Sequence, residues 1–161
     1  MRVVPHGMVV RSAKAWHALN LFVLRQDDVF TIPGYSSEKG VHLGRNVILE
    51  YGTDVKPPVL MLDNTWCARN VRLDGDVIVE SGSFIGEGAH LRRTVVCHDT
   101  YIGEGLDLDG KIVVGHRVID ADTGAWVDLE EPGLARRIPA GFGWFRSLWH
   151  FARGRSFGRR G

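Results

Sequence analysis

The chain repeats a six-residue pattern through most of its middle, and this period constrains its fold more than any other feature. Counted in steps of six from Leu43, the first position of each unit is apolar, and the fifth is nearly always small or β-branched. With one predicted slip of a residue at Tyr101–Ile102, thirteen units fit within residues 43–119. The first positions are Leu43, Leu49, Val55, Met61, Cys67, Leu73, Val79, Ile85, Leu91, Cys97, Ile102, Leu108 and Val114.

This period has a simple structural origin. Three short strands joined by three tight turns form one triangular coil of about 18 residues, with the first positions filling its interior. The fourth position of most units is Asn, Gly or Asp, which are the residues that best tolerate left-handed backbone angles in a turn. The repeat therefore predicts an all-β protein, a parallel β-helix of a little over four coils.

The repeat divides the chain into three segments. Residues 1–40 are predicted to form an N-terminal helix, capped by Ser12, and a lead-in segment, while residues 41–131 form the β-helix. Residues 132–161 are a basic, aromatic tail with a predicted C-terminal amphipathic helix. The tail holds seven arginines and no acidic residue, whereas the rest of the chain carries 13 basic and 19 acidic side chains.

The tail and the cysteines bear on partners and location. Aromatic and arginine side chains at helical spacing in residues 142–160 favour docking on a protein, with peripheral contact to an anionic membrane as the alternative. No RNA-binding motif is present, so a nucleic-acid partner is not expected. Neither a signal peptide nor a spanning segment is predicted, and both cysteines fall at inward positions, so we expect a cytoplasmic protein.

Sixth positions are predicted to point outward, and residues 18 apart stack on one face of the prism. What we call the aromatic face contains Ile48, Trp66 and Phe84. The aliphatic face contains Leu60, Ile78, Val96 and, after the slip, Val113. The charged face contains Asp54, Arg72, His90 and Asp107. Two long apolar faces predict covering by the chain's own ends and by a second subunit, in a homo-oligomer. The interface candidates are Ile48, Trp66, Phe84, Leu60, Ile78, Val96, Trp144 and Trp149.

Histidines near a carboxylate are the candidates for catalysis. His98 and His116 are predicted to lie on adjacent coils, and Glu80 lies one coil before His98. Such a histidine can act as general base in an acyl transfer from acetyl-CoA to a hydroxyl group, although a solvated turn histidine is the more common case. His90 is predicted to lie on a different face from His98 and His116, so a zinc site is not expected, and no metal is predicted.

Several segments resemble known families. "LGRNVI", "IGEGAH" and "IGEGLD" resemble the motif of the hexapeptide-repeat left-handed β-helix family, and the resemblance implies the handedness. "AWHALNL", "PGY…GVHLGRNV" and residues 100–131, "TYIGEGLDLDGKIVVGHRVIDADTGAWVDLEE", resemble the β-helix appended to bacterial sugar-phosphate nucleotidyltransferases of the mannose-1-phosphate guanylyltransferase type. The Rossmann-like catalytic domain of those enzymes has no counterpart in the sequence, and "GEG" at 86–88 and 103–105 is turn chemistry.

This second resemblance implies an oligomerisation or regulatory module in sugar-nucleotide or surface-polysaccharide synthesis, without a catalytic site for nucleotidyl transfer and without a cofactor. A sugar-nucleotide enzyme or a glycosyltransferase is the implied protein partner. Two alternatives remain open. One is an acyltransferase of the hexapeptide class that uses acetyl-CoA, and the other is a membrane-peripheral scaffold for a glycosyltransferase.

Overall fold

The computed structural model describes residues 10–26, 29–32 and 34–139, without the side chains of residues 36–38. The described part contains one helix, α1 (Ala13–Leu24), followed by seventeen short strands. The strands are β1 (Tyr35–Glu38), β2 (Val41–Leu43), β3 (Ile48–Leu49), β4 (Asp54–Lys56), β5 (Val59–Met61), β6 (Trp66–Cys67), β7 (Arg72–Asp74), β8 (Val77–Val79), β9 (Phe84–Ile85), β10 (His90–Arg92), β11 (Val95–Val96), β12 (Thr100–Ile102), β13 (Asp107–Asp109), β14 (Lys111–Val114), β15 (Arg117–Asp120), β16 (Trp126–Asp128) and β17 (Ala135–Arg137).

The strands wind into a left-handed parallel β-helix of about four turns, as the repeat and the family resemblance predict. From β2 to β14, strands three places apart are hydrogen-bonded to each other, so that every coil adds one strand to each of three sheets. The aliphatic face is a sheet in the order β1-β2-β5-β8-β11-β14-β15-β16. The aromatic face has the order β17-β12-β9-β6-β3, and the charged face has the order β13-β10-β7-β4.

Apolar side chains fill the prism. The central coils bury Met61, Leu73, Val79, Ile85 and Leu91 completely, at 0% exposure. Burying one such side chain contributes roughly 1.5–3 kcal/mol, which makes this column the main source of stability. At the first coil the column is open, and Leu49 remains 39% exposed.

The predicted position of the register slip is wrong by one unit. Val96, not Cys97, follows Leu91 in the interior, because β11 pairs with β8 as Val96 to Val79 and Val95 to Ile78. Val96 is 0% exposed and belongs to the main core, so it is not an interface residue. The outward residue of β11 is Val95, and Cys97 lies outside the prism, against Ile112 and Ala121.

A second five-residue unit follows one coil later, and the sequence reading missed it. Val113 takes the interior position after Leu108, while Val114, predicted to point inward, is 45% exposed. Ile112 is therefore the outward residue of β14, and it pairs with Val95. Both short units lie at the corner that joins the charged face to the aliphatic face. Their turns use a single left-handed residue each, Arg93 with φ of +44° and Gly110 with φ of +65°.

The regular coils end earlier than residue 119. After β14 the chain reverses, and β15 and β16 add to the aliphatic face as an antiparallel meander. β17 then returns to pair antiparallel with β12 on the aromatic face. Val118, Leu129 and Ala135 pack on the core at this end. The meander therefore caps the prism and pairs strand edges that would otherwise be open.

Helix α1 covers the aliphatic face. Ser12 caps it as predicted, with its hydroxyl oxygen accepting a hydrogen bond from the Ala15 backbone N–H at 3.1 Å. Leu21 and Leu24 pack against the outward residues of the sheet, which are Leu60, Ile78 and Val95. One of the two apolar faces is thus buried by the chain's own N-terminal segment. The predicted C-terminal helix lies outside the described residues.

Candidate functional site

Both histidines proposed as catalytic line one surface cleft. His98 lies in the turn between β11 and β12, and His116 lies in the two-residue loop that joins β14 to β15. A cleft of about 370 Å³ separates these turns, and its walls are formed by His98, Val114, Gly115, His116, Arg117 and Arg137. We call it the His98–His116 cleft. The prediction that these histidines lie on neighbouring coils is consistent with this arrangement, whereas any catalytic role for them stays a prediction.

Buried hydroxyl groups hold the cleft walls together. The Thr100 hydroxyl accepts a hydrogen bond from the Gly115 N–H at 3.0 Å and donates one to the His98 carbonyl at 3.2 Å. The Ser83 hydroxyl accepts from the Thr100 N–H at 3.2 Å and donates to the Cys97 carbonyl at 3.0 Å. Thr100 is fully buried, and Ser83 is nearly so. The two histidine-bearing turns are therefore fixed to each other by a satisfied internal network.

Besides the His98 turn and the Gly115–His116 loop, strand β17 forms a wall of the cleft. Its Arg137 lies opposite Thr100 in the antiparallel pair, and the Ile138 N–H donates to the Asp99 carbonyl at 2.6 Å. Gly115, with φ of +61°, is the first residue of a tight hairpin loop, and an added Cβ would lie 3.2 Å from the Arg137 Cβ. The left-handed angle and this close approach together favour glycine at that position.

Glu80 orients the His98 turn. Its Oε2 accepts a hydrogen bond from the His98 backbone N–H at 2.9 Å and lies 3.5 Å from the His98 Nδ1. The imidazole itself is 59% exposed. A carboxylate at one ring nitrogen and solvent at the other is the arrangement that a general base needs, and it is also that of a solvated turn histidine beside an acid.

The His116 side of the cleft carries an arginine that the sequence reading did not single out. Arg117 donates two hydrogen bonds to Asp128, from Nε at 2.7 Å and from Nη2 at 2.8 Å, and its guanidinium lies 4.0 Å from the centre of the Trp126 ring. The Arg117 guanidinium lowers the pKa of the Asp128 carboxyl, and Asp128 raises the pKa of Arg117. The His116 Nε2 lies 3.8 Å from the same carboxylate.

Arg117, Arg137 and Trp126 were missed because they belong to the antiparallel cap. The six-residue period assigns a face only to residues inside a regular coil, and these three lie after the last one. The arginines of the tail were noted as a group, but nothing in their spacing placed one of them beside His98. The available signal was the loss of the period after residue 114, which marks a change of architecture.

A second depression lies between the start of α1 and the aliphatic face. Its volume is about 470 Å³, and its lining is mostly apolar. The residues around it are Val10, Arg11, Ser12, Ala13, Trp16, Cys97, Ile112, Val114 and Ile119. Burial, with a smaller contribution from Glu80, raises the pKa of the Cys97 thiol to about 12, and burial raises that of Cys67 to about 12. Both thiols are therefore protonated and unreactive at neutral pH.

The charged face is an ion-pair ladder. Asp54, Arg72, His90 and Asp107 stack as predicted, each opposite the next on adjacent strands. Asp74 accepts from the His90 Nε2 and lies 2.8 Å from the Lys56 Nζ. These contacts lower the pKa of Asp74 to about 2. Among the residues that the structure describes, no three metal-ligating side chains lie close enough together to hold a metal ion.

The aromatic face carries a stack of three rings. Trp66, Phe84 and Tyr101 follow one another at centroid distances of 5.5 Å, and Arg136 lies 4.7 Å from the centre of the Tyr101 ring. Phe84 and Tyr101 are each only 4% exposed, and Ile138 packs against this cluster. Ile48 is the outward residue of the first coil, beside Trp66. Trp144 and Trp149, the remaining interface candidates, lie outside the described residues, as does the 142–160 segment.

Exposed apolar side chains occur at both ends of the prism, with Tyr35 74% exposed and Tyr51 91% exposed at the first coil. At the capped end, two of them lie on β16. Trp126 is 59% exposed and Val127 is 53% exposed, on the strand that forms one edge of the eight-stranded sheet. Between residues 10 and 139, apart from the gaps, no helix is long and apolar enough to cross a membrane.

Comparison with known proteins agrees with the family resemblance at a coarse level. No family model matches the chain. A UTP–glucose-1-phosphate uridylyltransferase from Synechocystis sp. (strain ATCC 27184 / PCC 6803 / Kazusa) is 27% identical over 120 residues, which cover 74% of this chain. The same alignment covers 31% of the uridylyltransferase, so the chain spans about a third of that protein's length. The β-helix and this distant similarity together fit a nucleotidyltransferase-like β-helix module.

Proposed function

We propose that this β-helix is an assembly module in sugar-nucleotide synthesis for surface polysaccharides, and that it brings subunits together without transferring nucleotides itself. The observation that carries the proposal is the similarity, over 120 residues, to part of a UTP–glucose-1-phosphate uridylyltransferase. The described part of this chain folds into a capped β-helix. A fold alone does not define an activity, and an assembly module needs a surface that can bind another chain.

The surface that we propose for assembly is strand β16. It is an outer strand of the eight-stranded sheet, so one row of its backbone hydrogen-bonding groups faces outward. Its Trp126 and Val127 are both more than half exposed. An edge strand with apolar side chains is a template for pairing with another chain.

A second copy of this chain is the occupant that we propose for β16. Antiparallel pairing of two copies around a twofold axis at Val127 would place Val127 opposite its own counterpart. Trp126, which carries the Arg117 guanidinium at 4.0 Å, would then lie opposite Asp128 of the second copy. Glu130 and Glu131 would lie opposite Gly124 and Thr123, so that no two acidic residues face each other across the pair. The charge pattern therefore favours this register.

Sedimentation velocity of the full chain tests the assembly. We expect a species about twice the 17.9 kDa monomer mass. The double variant Trp126→Ser/Val127→Ser should sediment as a monomer, because it removes the apolar contact but not the fold. Phe22→Ser is the matched control, since Phe22 is an exposed apolar residue on α1, 43% exposed, and it should leave the oligomer intact. A monomeric parent chain, or a control that dissociates as readily as the double variant, would contradict the proposal.

An activity assay tests the other half of the proposal. The purified chain, incubated with a nucleoside triphosphate, a sugar 1-phosphate and Mg²⁺, should form no nucleotide sugar. Formation of the product at a rate proportional to protein concentration, and retained through a second purification step, would show that the module is itself the enzyme.

The His98–His116 cleft supports a second candidate function, acyl transfer from acetyl-CoA. In that reaction His98, with Glu80 at 3.5 Å from its Nδ1, would take the proton of an attacking hydroxyl group, and the CoA thiol would leave with a proton. Titration calorimetry with acetyl-CoA decides this candidate. Binding that His98→Ala leaves intact, together with loss of acyl transfer in the same variant, would support it. Absence of any binding heat would remove it.

A further inference from the structure

We propose that the His98–His116 cleft binds a phosphate group, either that of the free anion or that of a small phosphate ester. The cleft places two arginines and two histidines around one volume of about 370 Å³. Of the described residues that line it, none is a carboxylate. Glu80 and Asp128 lie outside this lining, where Glu80 contacts His98 and Asp128 contacts His116 and Arg117. A lining of arginine and histidine side chains favours an anion, and phosphate oxygens match the geometry of an arginine fork.

Arg137 supplies the main unneutralised charge. It is an exposed residue, and no carboxylate lies within ion-pair distance of its guanidinium among the described residues. Its backbone is fixed by pairing with Thr100 and by the neighbouring Ile138–Asp99 hydrogen bond. The guanidinium therefore projects from a rigid strand, and it keeps its full set of N–H donors for a ligand.

Arg117, unlike Arg137, forms an ion pair with Asp128, but it can still donate a hydrogen bond to a ligand. Asp128 binds the Nε and Nη2 atoms of Arg117, and the Trp126 ring lies against its plane. These contacts fix the orientation of the guanidinium while leaving Nη1 outside the ion pair. Because Asp128 neutralises the charge of Arg117, this residue contributes a positioned donor more than net charge, and binding depends most strongly on Arg137.

The cleft is also organised before any ligand arrives. Thr100 joins the His98 turn to the Gly115–His116 loop through two hydrogen bonds of its buried hydroxyl group. Glu80 holds the His98 backbone from the preceding coil. A site whose donors are already in place loses little conformational freedom on binding, which is the physical condition for useful affinity from few contacts.

Nitrogen-15 NMR of the arginine side chains, combined with titration calorimetry, tests the site on the full chain. The probes are inorganic phosphate and glycerol 3-phosphate, titrated separately at 150 mM NaCl. We expect saturable binding and a shift of the Arg137 Nε–Hε signal. Binding of both probes would identify a phosphoryl site open to esters, and binding of inorganic phosphate alone would identify a site for the free anion. Each of these outcomes supports the proposal.

Variants separate the site from nonspecific attraction to arginine. Arg137→Gln should weaken phosphate binding by about tenfold, as expected for the loss of a charge-assisted hydrogen bond. Arg69→Gln removes another exposed arginine, which lies 3.6 Å from Glu50 outside the cleft, and should leave binding unchanged. His98→Gln/His116→Gln provides a second variant within the cleft and should also weaken binding. Equal losses in Arg137→Gln and Arg69→Gln, or no saturable binding of either probe, would overturn the proposal.

This inference goes beyond the proposed assembly function, and its outcome is distinguishable from that of the assembly test. A dimer that binds no phosphate would contradict only the phosphoryl site. A monomer that binds phosphate through Arg137 would contradict only the assembly.

Discussion

Single hydroxyl groups decide how the cleft is built. Thr100 is fully buried and serves two turns at once, accepting from the Gly115 N–H and donating to the His98 carbonyl. Thr65, at 0% exposure, makes a simpler contact, donating to the Leu62 carbonyl at 3.0 Å. The six-residue period predicts a small residue at Thr65 and a turn residue at Thr100. It does not predict the additional hydrogen bond of Thr100, because that bond comes from the loop that follows β14.

Thr100→Val tests this network by removing the hydroxyl group without changing the shape of the side chain. We expect a loss of about 1–3 kcal/mol in the free energy of unfolding, because the buried Gly115 N–H loses its acceptor. Urea denaturation measures the change. Thr65→Val is the matched control and should cost about 1 kcal/mol or less, since it leaves no donor unpaired. Equal costs for the two variants would show that Thr100 plays no special part.

The lowered pKa of Asp74 determines the pH at which its stabilising contribution to the charged face is lost. The hydrogen bonds from Lys56 and His90 lower its pKa to about 2, below the value of about 3.9 expected for the unfolded chain. The folded state therefore binds fewer protons between these values. The stabilising contribution of Asp74 is complete above about pH 4 and disappears as the pH falls towards 2.

Asp74→Asn should accordingly lower the free energy of unfolding at pH 7 by roughly 1–2 kcal/mol and flatten its dependence on pH between 4 and 2. Urea denaturation at a series of pH values measures both effects. Asp54→Asn is the control on the same face, because that carboxylate is 54% exposed and 3.7 Å from the Lys56 Nζ. A pH profile unchanged by Asp74→Asn would contradict the interpretation.

At the scale of elements, α1 packs on the aliphatic face and buries its apolar side chains. Leu24 is 2% exposed and packs with Leu60 and Ile78, whereas Phe22 on the same helix is 43% exposed. Leu24→Ala should cost about 2–5 kcal/mol through lost burial and the cavity left behind, and Phe22→Ala less than about 1 kcal/mol. Thermal unfolding followed by circular dichroism ranks the two variants. The reverse ranking would show that α1 does not cover the aliphatic face as described.

The elements also show where sequence reasoning succeeds and where it ends. The period predicts the β-helix, and the six-residue units up to Leu91 lie in the interior order expected. It misplaces the first slip because Val95, Val96 and Cys97 are all apolar, so that shifting the register by one residue leaves the hydrophobic pattern intact. The second slip, at Ile112–Val114, is ambiguous for the same reason. The turn residues establish the register at both slips. Arg93 and Gly110 adopt left-handed backbone angles, one residue before Thr94 and Lys111, the turn positions that the period predicts.

The candidate site was predictable only in part. His98, Glu80 and His116 follow from the coil spacing, because stacked coils bring residues about 18 positions apart into contact. Arg137 comes from a strand that folds back by 37 residues to pair with Thr100, and a local period contains no information on such a contact. The cap therefore contributes the residues that change the chemistry of the cleft from a histidine pair to a cationic site.

On the scale of the whole molecule, the described prism has two unlike ends. The first coil leaves Leu49 39% exposed, while the last coil is closed by the meander and by β17. Helix α1 covers the aliphatic face, and Ile138 lies against the aromatic one. The proposed assembly of two copies depends on β16, which is one of the outer strands.

Site-specific cross-linking through Val127→Cys tests the central claim, assembly through β16, most directly. Cys67 and Cys97 are the two cysteines of the chain, both are buried, and both have thiol pKa values near 12, so that the introduced thiol is the reactive one. Antiparallel pairing at Val127 brings the two introduced residues within disulfide distance. Under mild oxidation, a covalent dimer should form in non-reducing electrophoresis at a rate independent of dilution, and Phe22→Cys should stay monomeric. A Val127→Cys protein that stays monomeric, or cross-links no faster than Phe22→Cys, would contradict the account.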